Sequence, residues 1–278
     1  MPELRYDVNL SILFTELPLL ERPAAAAAAG FDAVELWWPF PEPAPPDRQL
    51  DELRRALADA GTQLVGLNFD AGDMAAGERG LLSRPGGSAR FRENIDVAVG
   101  FAEATGCTTL NALYGNRDPE AGGAAQRELA VENLVLAAGA AERVGATVVI
   151  EALNAIENPD YPITSSDEAL QLVEHLRFTH GMPNVAFLAD LYHLARMGEP
   201  VEKLVATRSG DFGHVQLADT PGRGQPGTGD LDVTEVLDRL AASGYDGWVG
   251  LEYRPVGPSA DSFEWLPQHL RAAGRRVR

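Results

Sequence analysis

The feature that most constrains the fold is a regular alternation of short β-rich runs with longer helical runs along the whole chain. Eight runs have the apolar, β-branched character of buried strands: YDVNLSI, AVELWW, LVGLNF, TTLNALY, TVVIEAL, VAFLADL, GHVQLAD and WVGLEY. Eight helical runs alternate with them, from LLERPAAAAAA after the first strand to SFEWLPQHLRAA after the last. This pattern is typical of parallel strands joined by crossover helices, so we predict an α/β fold.

Eight strand and helix pairs in 278 residues predict one closed (β/α)8 barrel, a TIM barrel, with residues 1–278 as a single domain. A doubly wound open sheet has the same local periodicity and remains the alternative. Glycine placement supports the predicted boundaries, because glycine closes helices in the left-handed backbone region. Five glycines stand between a helical run and the next strand: Gly30, Gly61, Gly106, Gly145 and Gly244.

Charge and cysteine content narrow the class of partner. The formal net charge is −18 and we find no basic patch, which disfavours nucleic acid and anionic lipid as partners. Cys107 is the only cysteine, which excludes an intrachain disulfide and a thiolate zinc cage. No run approaches the roughly 20 apolar residues of a membrane span, and no signal-peptide pattern begins the chain, so we expect a cytoplasmic protein. The predicted partner is a small molecule, and the oligomeric state stays open, a homo-oligomer included.

Polar residues close four successive strands in the second half of the chain. Glu151 ends TVVIE, Asp190 ends VAFLAD, Gln216 lies in GHVQLAD, and Glu252 ends WVGLE. Catalytic groups of such barrels lie at the carboxyl ends of the strands, where these side chains would meet. Three carboxylates and one amide oxygen are hard oxygen ligands, so we predict a divalent cation, Mg²⁺ or Mn²⁺. Any one of these residues could instead cap the following helix.

Two histidines and two loops belong to the same predicted site. His193 follows Asp190 by three residues and is expected to reach the mouth of the barrel, whereas His214 is expected to lie deeper. The segment from Asp70 to Gly87 is long for a connection in a barrel and is interpreted as a rim or lid, with a disordered excursion as the alternative. The segment from Asp219 to Asp230 contains one cation, Arg223, our candidate partner for a substrate carboxylate.

Four strings resemble the hydroxypyruvate isomerase family: AGDMAAGERG, VVIEALN, HVQLADTPGRGQPGTG and GYDGWVGLEY. This family belongs to the xylose isomerase-like barrel superfamily, and the similarity extends over nearly the whole chain. The resemblance implies a divalent metal held by Glu151, Asp190, Gln216 and Glu252, with both glutamates acting as acid and base. Many superfamily members have a histidine where Gln216 stands, and an amide is a weaker, neutral ligand.

The resemblance also implies substrate contacts and a reaction. Glu157, His193 and Arg223 match residues that contact substrate in related epimerases, and we add Asn68 from LVGLNF to this substrate-binding set. We predict an isomerase that interconverts hydroxypyruvate and tartronate semialdehyde by metal-assisted proton transfer through an enediolate. The alternatives in the same fold are an isomerase of four-carbon 2-oxo acids, a ketose 3-epimerase and a dehydratase of cyclic polyols. An endonuclease-IV-like phosphodiesterase and a non-catalytic sugar-binding barrel are the more distant alternatives.

Overall fold

Eight parallel strands form a closed barrel in the computed structural model, which describes residues 3–272. The strands are β1 (Arg5–Asn9), β2 (Ala33–Leu36), β3 (Gln63–Asn68), β4 (Thr109–Asn111), β5 (Thr147–Glu151), β6 (Val185–Asp190), β7 (Phe212–Leu217) and β8 (Trp248–Leu251). The helices are α1 (Arg22–Ala28), α2 (Asp47–Ala60), α3 (Pro85–Thr105), α4 (Gly123–Glu142), α5 (Ser166–Thr179), α6 (Leu191–Arg196), α7 (Val201–Arg208) and α8 (Val233–Ala242). The predicted (β/α)8 barrel is therefore confirmed.

The pairing of the first strand with the last distinguishes the closed barrel from the doubly wound open sheet. The first strand pairs in parallel with the last, from Arg5 opposite Trp248 to Val8 opposite Leu251. Every other strand pairs with its neighbours in chain order, so the sheet has no free edge. The doubly wound open sheet is excluded by this pairing.

The strands read as near-continuous apolar runs because both faces of the sheet are covered. All six residues of β6 are buried, as are all four of β2. The five glycines predicted to close helices all have positive φ, between 69° and 101°: Gly30, Gly61, Gly106, Gly145 and Gly244. No helix within residues 3–272 is both long enough and apolar enough to cross a bilayer.

The predicted eighth helix, SFEWLPQHLRAA, is wrong. Two short 3₁₀ turns stand in its place, Ser259–Phe263 and Gln268–Leu270, and residues 273–278 lie outside the described part of the chain. Pro267 separates the turns, because proline lacks an N–H donor and keeps the preceding residue out of the helical region. Phe263 still packs against the barrel wall, with its ring centroid 4.8 Å from that of Phe31.

A buried carboxylate inside the barrel is surrounded by glycine. Glu35 of β2 is 4 % exposed and lies between Gly66 of β3 and Gly250 of β8. A Cβ atom at position 250 would be 2.8 Å from Oε1 of Glu35, and one at position 66 would be 3.1 Å from Oε2. These strands therefore have room for the Glu35 side chain only because neither neighbour has a side chain.

We expect Gly250→Ala to lower the free energy of unfolding by about 1–3 kcal/mol, because the new methyl group overpacks the barrel against Glu35. Gly139→Ala is the matched control: Gly139 lies inside α4 with nothing within 4 Å of its Cβ position. That substitution is expected to raise the free energy of unfolding by about 0.5–1 kcal/mol. Urea denaturation followed by circular dichroism measures both, and equal effects at the two positions would contradict the crowding at Glu35.

Candidate active site

Polar side chains occupy the carboxyl end of the barrel. Each strand has a buried one at or beside its end: Asn9, Glu35, Asn68, Asn111, Glu151, Asp190, Gln216 and Glu252. The carboxyl ends of parallel strands meet at one end of the barrel, so these side chains converge. Asp190 and Gln216 are direct neighbours in the pairing of β6 with β7. The structure thus brings the four predicted metal ligands to the same end of the barrel.

A cavity of about 660 Å³ opens at this end. Six of the predicted site residues line it: Asn68, Glu151, Glu157, His193, Arg223 and Glu252. Asp190 and Gln216 lie deeper, each only 2 % exposed. The loop between β3 and α3 contributes Met74, Ala75 and Arg79 to the wall, as expected of a rim.

The two carboxylate oxygens of Asp190 have different roles: one caps the following helix, and the other is available to a ligand. Its Oδ1 accepts hydrogen bonds from the main-chain N–H groups of Tyr192 (2.8 Å) and His193 (3.2 Å), which caps α6. Its Oδ2 is buried without a hydrogen-bond partner. Asp190, Glu151 and His193 each place a possible ligand atom within 4.8 Å of the others. The helix-capping alternative is therefore correct for one oxygen and leaves the other free for a ligand.

Glu252 is held from three directions. Its Oε1 accepts hydrogen bonds from Asn9 Nδ2 (2.9 Å) and Trp37 Nε1 (2.7 Å), and its Oε2 accepts one from Arg223 Nη2. Burial raises the pKa of Glu252 to about 8, although Arg223 opposes the shift. A carboxyl group in this position is fixed in orientation and titrates close to neutrality, both of which suit a group that moves a proton.

Glu151 is the second buried glutamate of the cavity. Its Oε2 accepts a hydrogen bond from Asn111 Nδ2 (2.8 Å), which fixes the carboxyl plane. Burial, followed by repulsion from Glu252 and Asp190, raises the pKa of Glu151 well above its ordinary value. Glu151 and Glu252 are thus too close together, and too far from water, to ionise readily without compensating positive charge, of which Arg223 supplies one.

The Gln216 side chain has a defined amide orientation. Its Nε2 donates a hydrogen bond to Glu35 Oε1 at 2.8 Å, and its Oε1 is buried without a partner. Glu35 Oε1 also accepts a hydrogen bond from Asn9 Nδ2 at 2.9 Å. Because a carboxylate can only accept from these amides, Glu35 directs the nitrogen of Gln216 toward itself and leaves the carbonyl oxygen available as a ligand.

Glu35 connects the site to a second buried cluster one layer deeper. His214 Nε2 lies 2.7 Å from Glu35 Oε2 and 3.9 Å from Asp7 Oδ2. Burial disfavours a charged imidazole, but Glu35 and Asp7 together raise the pKa of His214. His214 therefore lies below the site, as the sequence predicts, and supports the carboxylate that orients Gln216.

His193 is neutral and its tautomer is defined. Its Nδ1 accepts a hydrogen bond from the main-chain N–H of Asn154 at 3.1 Å, so its proton is on Nε2. Burial lowers the pKa of His193 to about 4, since the imidazole is almost fully enclosed. The Nε2 atom lies 3.6 Å from Asp190 Oδ2 and 3.9 Å from Glu151 Oε1. His193 thus presents an N–H donor to the cavity.

The loop from Asp219 to Asp230 folds around a single carboxylate. Asp219 is 1 % exposed and accepts hydrogen bonds from the main-chain N–H groups of Thr220, Gly227, Gly229 and Leu231. This arrangement places Arg223, with a left-handed φ of 58°, over the carboxyl end of β8. Its guanidinium pairs with Glu252 and lies 3.7 Å from Asp190 Oδ2. A non-glycine residue in this backbone region is strained by about 1–2 kcal/mol, which is typical of functional positions.

The residues present fit a hard divalent cation. Two buried oxygens, Asp190 Oδ2 and Gln216 Oε1, have no hydrogen-bond partner in the described part of the chain, which is rare for buried polar atoms. The carboxylates of Glu151 and Glu252 complete an all-oxygen set, the kind that Mg²⁺ and Mn²⁺ prefer.

Four residues that position the site were missed by sequence reasoning: Asn9, Glu35, Trp37 and Asn111. Asn9 and Asn111 follow the same signal as the glutamates, since each is a polar residue that ends an apolar strand. Applying that test to the first four strands would have found them. No sequence pattern indicates the role of Trp37. Its hydrogen bond to Glu252 joins residues that follow β2 and β8, and only closure of the barrel brings these residues together.

Solved structures share this fold. AP endonuclease, family 2, from Brucella melitensis superposes with a TM-score of 0.84 at 37 % identity, covering 95 % of this chain and 98 % of that chain. D-psicose 3-epimerase from Clostridium cellulolyticum superposes with a TM-score of 0.72 at 22 % identity, covering 95 % and 91 %. The second similarity is one of fold alone.

Curated relatives cover the chain almost completely. A Streptomyces coelicolor protein named "Putative hydroxypyruvate isomerase" is 58 % identical, over 97 % of this chain and 98 % of its own length. The hydroxypyruvate isomerase of Escherichia coli is 33 % identical over 95 % and 98 %. The 2-oxo-tetronate isomerase of Cupriavidus necator is 35 % identical over 96 % and 98 %. These relatives confirm the predicted resemblance and the prediction of an isomerase.

The xylose isomerase-like TIM barrel model matches residues 23–272, which include every predicted site residue. Together with the closed barrel and the relatives described above, this match shows that the chain belongs to the xylose isomerase-like TIM barrel family.

Proposed function

We propose that the protein interconverts hydroxypyruvate and tartronate semialdehyde by moving a proton between neighbouring carbon atoms. The observation that carries the proposal is that two buried glutamates, Glu151 and Glu252, line one cavity beside two unpaired buried oxygens. Relatives named as isomerases of hydroxypyruvate and of 2-oxo-tetronate support a small 2-oxo acid as substrate. The formal charge of −18 favours a small molecule over a nucleic acid.

A divalent cation, Mg²⁺ or Mn²⁺, would be held by Glu151, Asp190, Gln216 and Glu252. When bound, it supplies a Lewis acid that polarises the substrate carbonyl and makes the adjacent C–H acidic. The same cation would balance the charges of Glu151 and Glu252, whose pKa values are raised by burial.

The chain's own residues handle the proton. One of Glu151 and Glu252 removes the proton from the hydroxyl-bearing carbon, which gives an enediolate. The hydroxyl proton then passes to the former carbonyl oxygen, and a glutamate returns a proton to the neighbouring carbon, which leaves the aldehyde. The two carboxyl groups titrate as a coupled pair, so base and acid are not assigned individually. His193 donates its Nε2 proton as a hydrogen bond to a substrate oxygen and stays neutral throughout, because burial keeps its pKa near 4. Asn68, Glu157 and Arg223 bind the rest of the substrate.

An isomerase of four-carbon 2-oxo acids is the second candidate. Its support is the 2-oxo-tetronate isomerase of Cupriavidus necator, which is 35 % identical over nearly the whole chain. The cavity of about 660 Å³ has room for one more carbon atom than hydroxypyruvate contains. The 3-epimerase alternative is supported by fold alone, at 22 % identity.

The proposal is tested by proton exchange from D₂O into a panel of substrates, followed by NMR. We expect deuterium incorporation and isomerisation with hydroxypyruvate or a four-carbon 2-oxo acid, and their loss when a chelator removes the cation. A ketohexose exchanged faster than either acid would favour the epimerase. If no member of the panel exchanges, the proposed reaction is wrong.

Glu252→Gln is expected to reduce turnover by about 10²- to 10⁴-fold, because the amide keeps a ligand oxygen but cannot accept the proton. Steady-state kinetics measure the loss, and calorimetry with Mn²⁺ checks that the cation still binds. Glu103→Gln, at an exposed position of α3, is the matched control and should leave turnover unchanged. Wild-type turnover in Glu252→Gln would refute the proton-transfer role.

Metal binding is expected to strengthen with rising pH. Before the cation binds, burial holds the pKa of Glu151 well above its ordinary value and that of Glu252 at about 8. Because the cation binds the ionised carboxylates, it must displace these protons. The apparent Mn²⁺ affinity should therefore rise between about pH 6 and pH 8, by up to about tenfold per unit for each proton released. Calorimetry in buffers of different ionisation enthalpy counts the protons, and binding without proton release would contradict the prediction.

A further inference from the structure

Besides Arg223, the guanidiniums of Arg79 and Arg254 line the active-site cavity, and neither residue belongs to the predicted set of site residues. Arg79 comes from the loop between β3 and α3 and faces the same cavity as Glu151 and Glu252. Its Nε donates a hydrogen bond to Asn158 Oδ1 at 2.7 Å, and its Nη1 donates to the main-chain oxygens of Met74 (3.0 Å) and Glu78 (2.7 Å). These bonds fix the head group through Nε and Nη1, so Nη2 is left for a ligand.

The charge on Arg79 has no close counterion among residues 3–272. Within residues 3–272, no carboxylate oxygen lies within 4.0 Å of its guanidinium nitrogens. Glu157 is the acidic residue whose charge acts on Arg79. Its two oxygens already accept hydrogen bonds from Tyr192 Oη (2.7 Å) and Asn154 Nδ2 (3.1 Å). Burial, and then the positive charge of Arg223, lower the pKa of Arg79. An anion between the two guanidiniums would relieve this repulsion.

The loop is built to hold Arg79 in place. Gly80, which follows it, has a left-handed φ of 108°, and a Cβ there would be 2.0 Å from the main-chain oxygen of Leu113. Glu78, which precedes it, pairs with Arg84 and accepts a hydrogen bond from the main-chain N–H of Asp73 at 2.7 Å. The backbone on both sides of Arg79 is therefore fixed against the barrel, which lowers the entropy lost when a ligand binds.

We propose that Arg79 binds the carboxylate of the substrate, and so selects hydroxy-carbonyl compounds that carry a carboxylate over neutral sugars of the same length. Arg223 faces the same cavity with its Nε buried and unpaired, so it can share this carboxylate. A guanidinium is suited to the role because its planar donors match the two oxygens of a carboxylate. The expected effect on turnover rests on the proposed function. The expected binding of a carboxylate does not depend on that function.

Two three-carbon substrates separate this contact from the chemistry. Hydroxypyruvate and dihydroxyacetone share the hydroxymethyl and carbonyl groups, and differ in having a carboxylate or a second hydroxymethyl group. Arg79→Met is expected to lower kcat/KM for hydroxypyruvate by roughly 10- to 100-fold, mainly through KM, because a hydrogen bond to a charged group is lost. The value for dihydroxyacetone is expected to change by less than about twofold.

Three variants control the interpretation. Arg48→Met removes an arginine from the exposed side of α2, outside the cavity wall, and should leave the preference for hydroxypyruvate unchanged. Arg79→Lys keeps the charge without the planar donors and should lose less of the preference than Arg79→Met. An equal loss for both substrates in Arg79→Met would overturn the inference, because the residue would then only hold the loop. Exposed Arg254 also lines the cavity and is the competing candidate: if Arg254→Met loses the preference while Arg79→Met keeps it, the carboxylate site is not at Arg79 and the inference is overturned.

A binding measurement keeps this inference separate from the proposed reaction. Glycerate has the carboxylate and hydroxyl groups but no carbonyl, so it binds without turnover. Calorimetry on the metal-loaded protein should show glycerate binding to the wild type, with affinity reduced roughly 10- to 100-fold in Arg79→Met. If hydroxypyruvate is not isomerised but this loss is found, the reaction is wrong and the carboxylate site stands. Equal binding to both proteins, or none to the wild type, overturns the site.

Discussion

Like-charged groups enclosed together at one end of the barrel are the constraint around which the rest of the site is organised. Glu151, Asp190 and Glu252 repel one another and are shielded from water, so each is held by donors from a different part of the chain. Asn111 holds the first, the first turn of α6 holds the second, and Asn9 with Trp37 holds the third. Buried charges without such partners would cost several kcal/mol each, so the donors are as necessary as the ligands.

The orientation of the Gln216 amide depends on residues deeper in the barrel than the cavity. An amide can present either its nitrogen or its oxygen to a cation, and only the oxygen is a ligand. Glu35 resolves the choice by accepting from the nitrogen, and His214 stabilises Glu35 from below. A neutral ligand is thus given a fixed orientation by the buried Glu35–His214 pair, neither member of which lines the cavity. A histidine at position 216 would need a hydrogen-bond partner different from Glu35. The ligand and the residue that orients it therefore have to be considered together.

Sequence reasoning predicted the barrel because both faces of its strands are covered, which leaves apolar runs that are easy to recognise. It identified Glu151, Asp190, Gln216 and Glu252 because a polar side chain at the end of such an apolar run is unusual. It missed Glu35 and Asp7, which lie within strands and whose partners are on strands far away in the chain. Those partnerships depend on register and closure, which local patterns do not contain. It misplaced a helix across Pro267 and overlooked Arg79, since a loop cation shows its direction only once the loop is folded.

The glycines beside Glu35 limit how this scaffold could be redesigned. Strands β3 and β8 cannot gain even a methyl group at positions 66 and 250 without displacing the carboxylate that sets Gln216. These two interior positions are therefore poor places to introduce diversity in directed evolution, because a larger residue there would displace Glu35. Met74 and Ala75, in the loop between β3 and α3, line the cavity from the rim instead, so libraries that seek new substrate ranges are better confined to that loop.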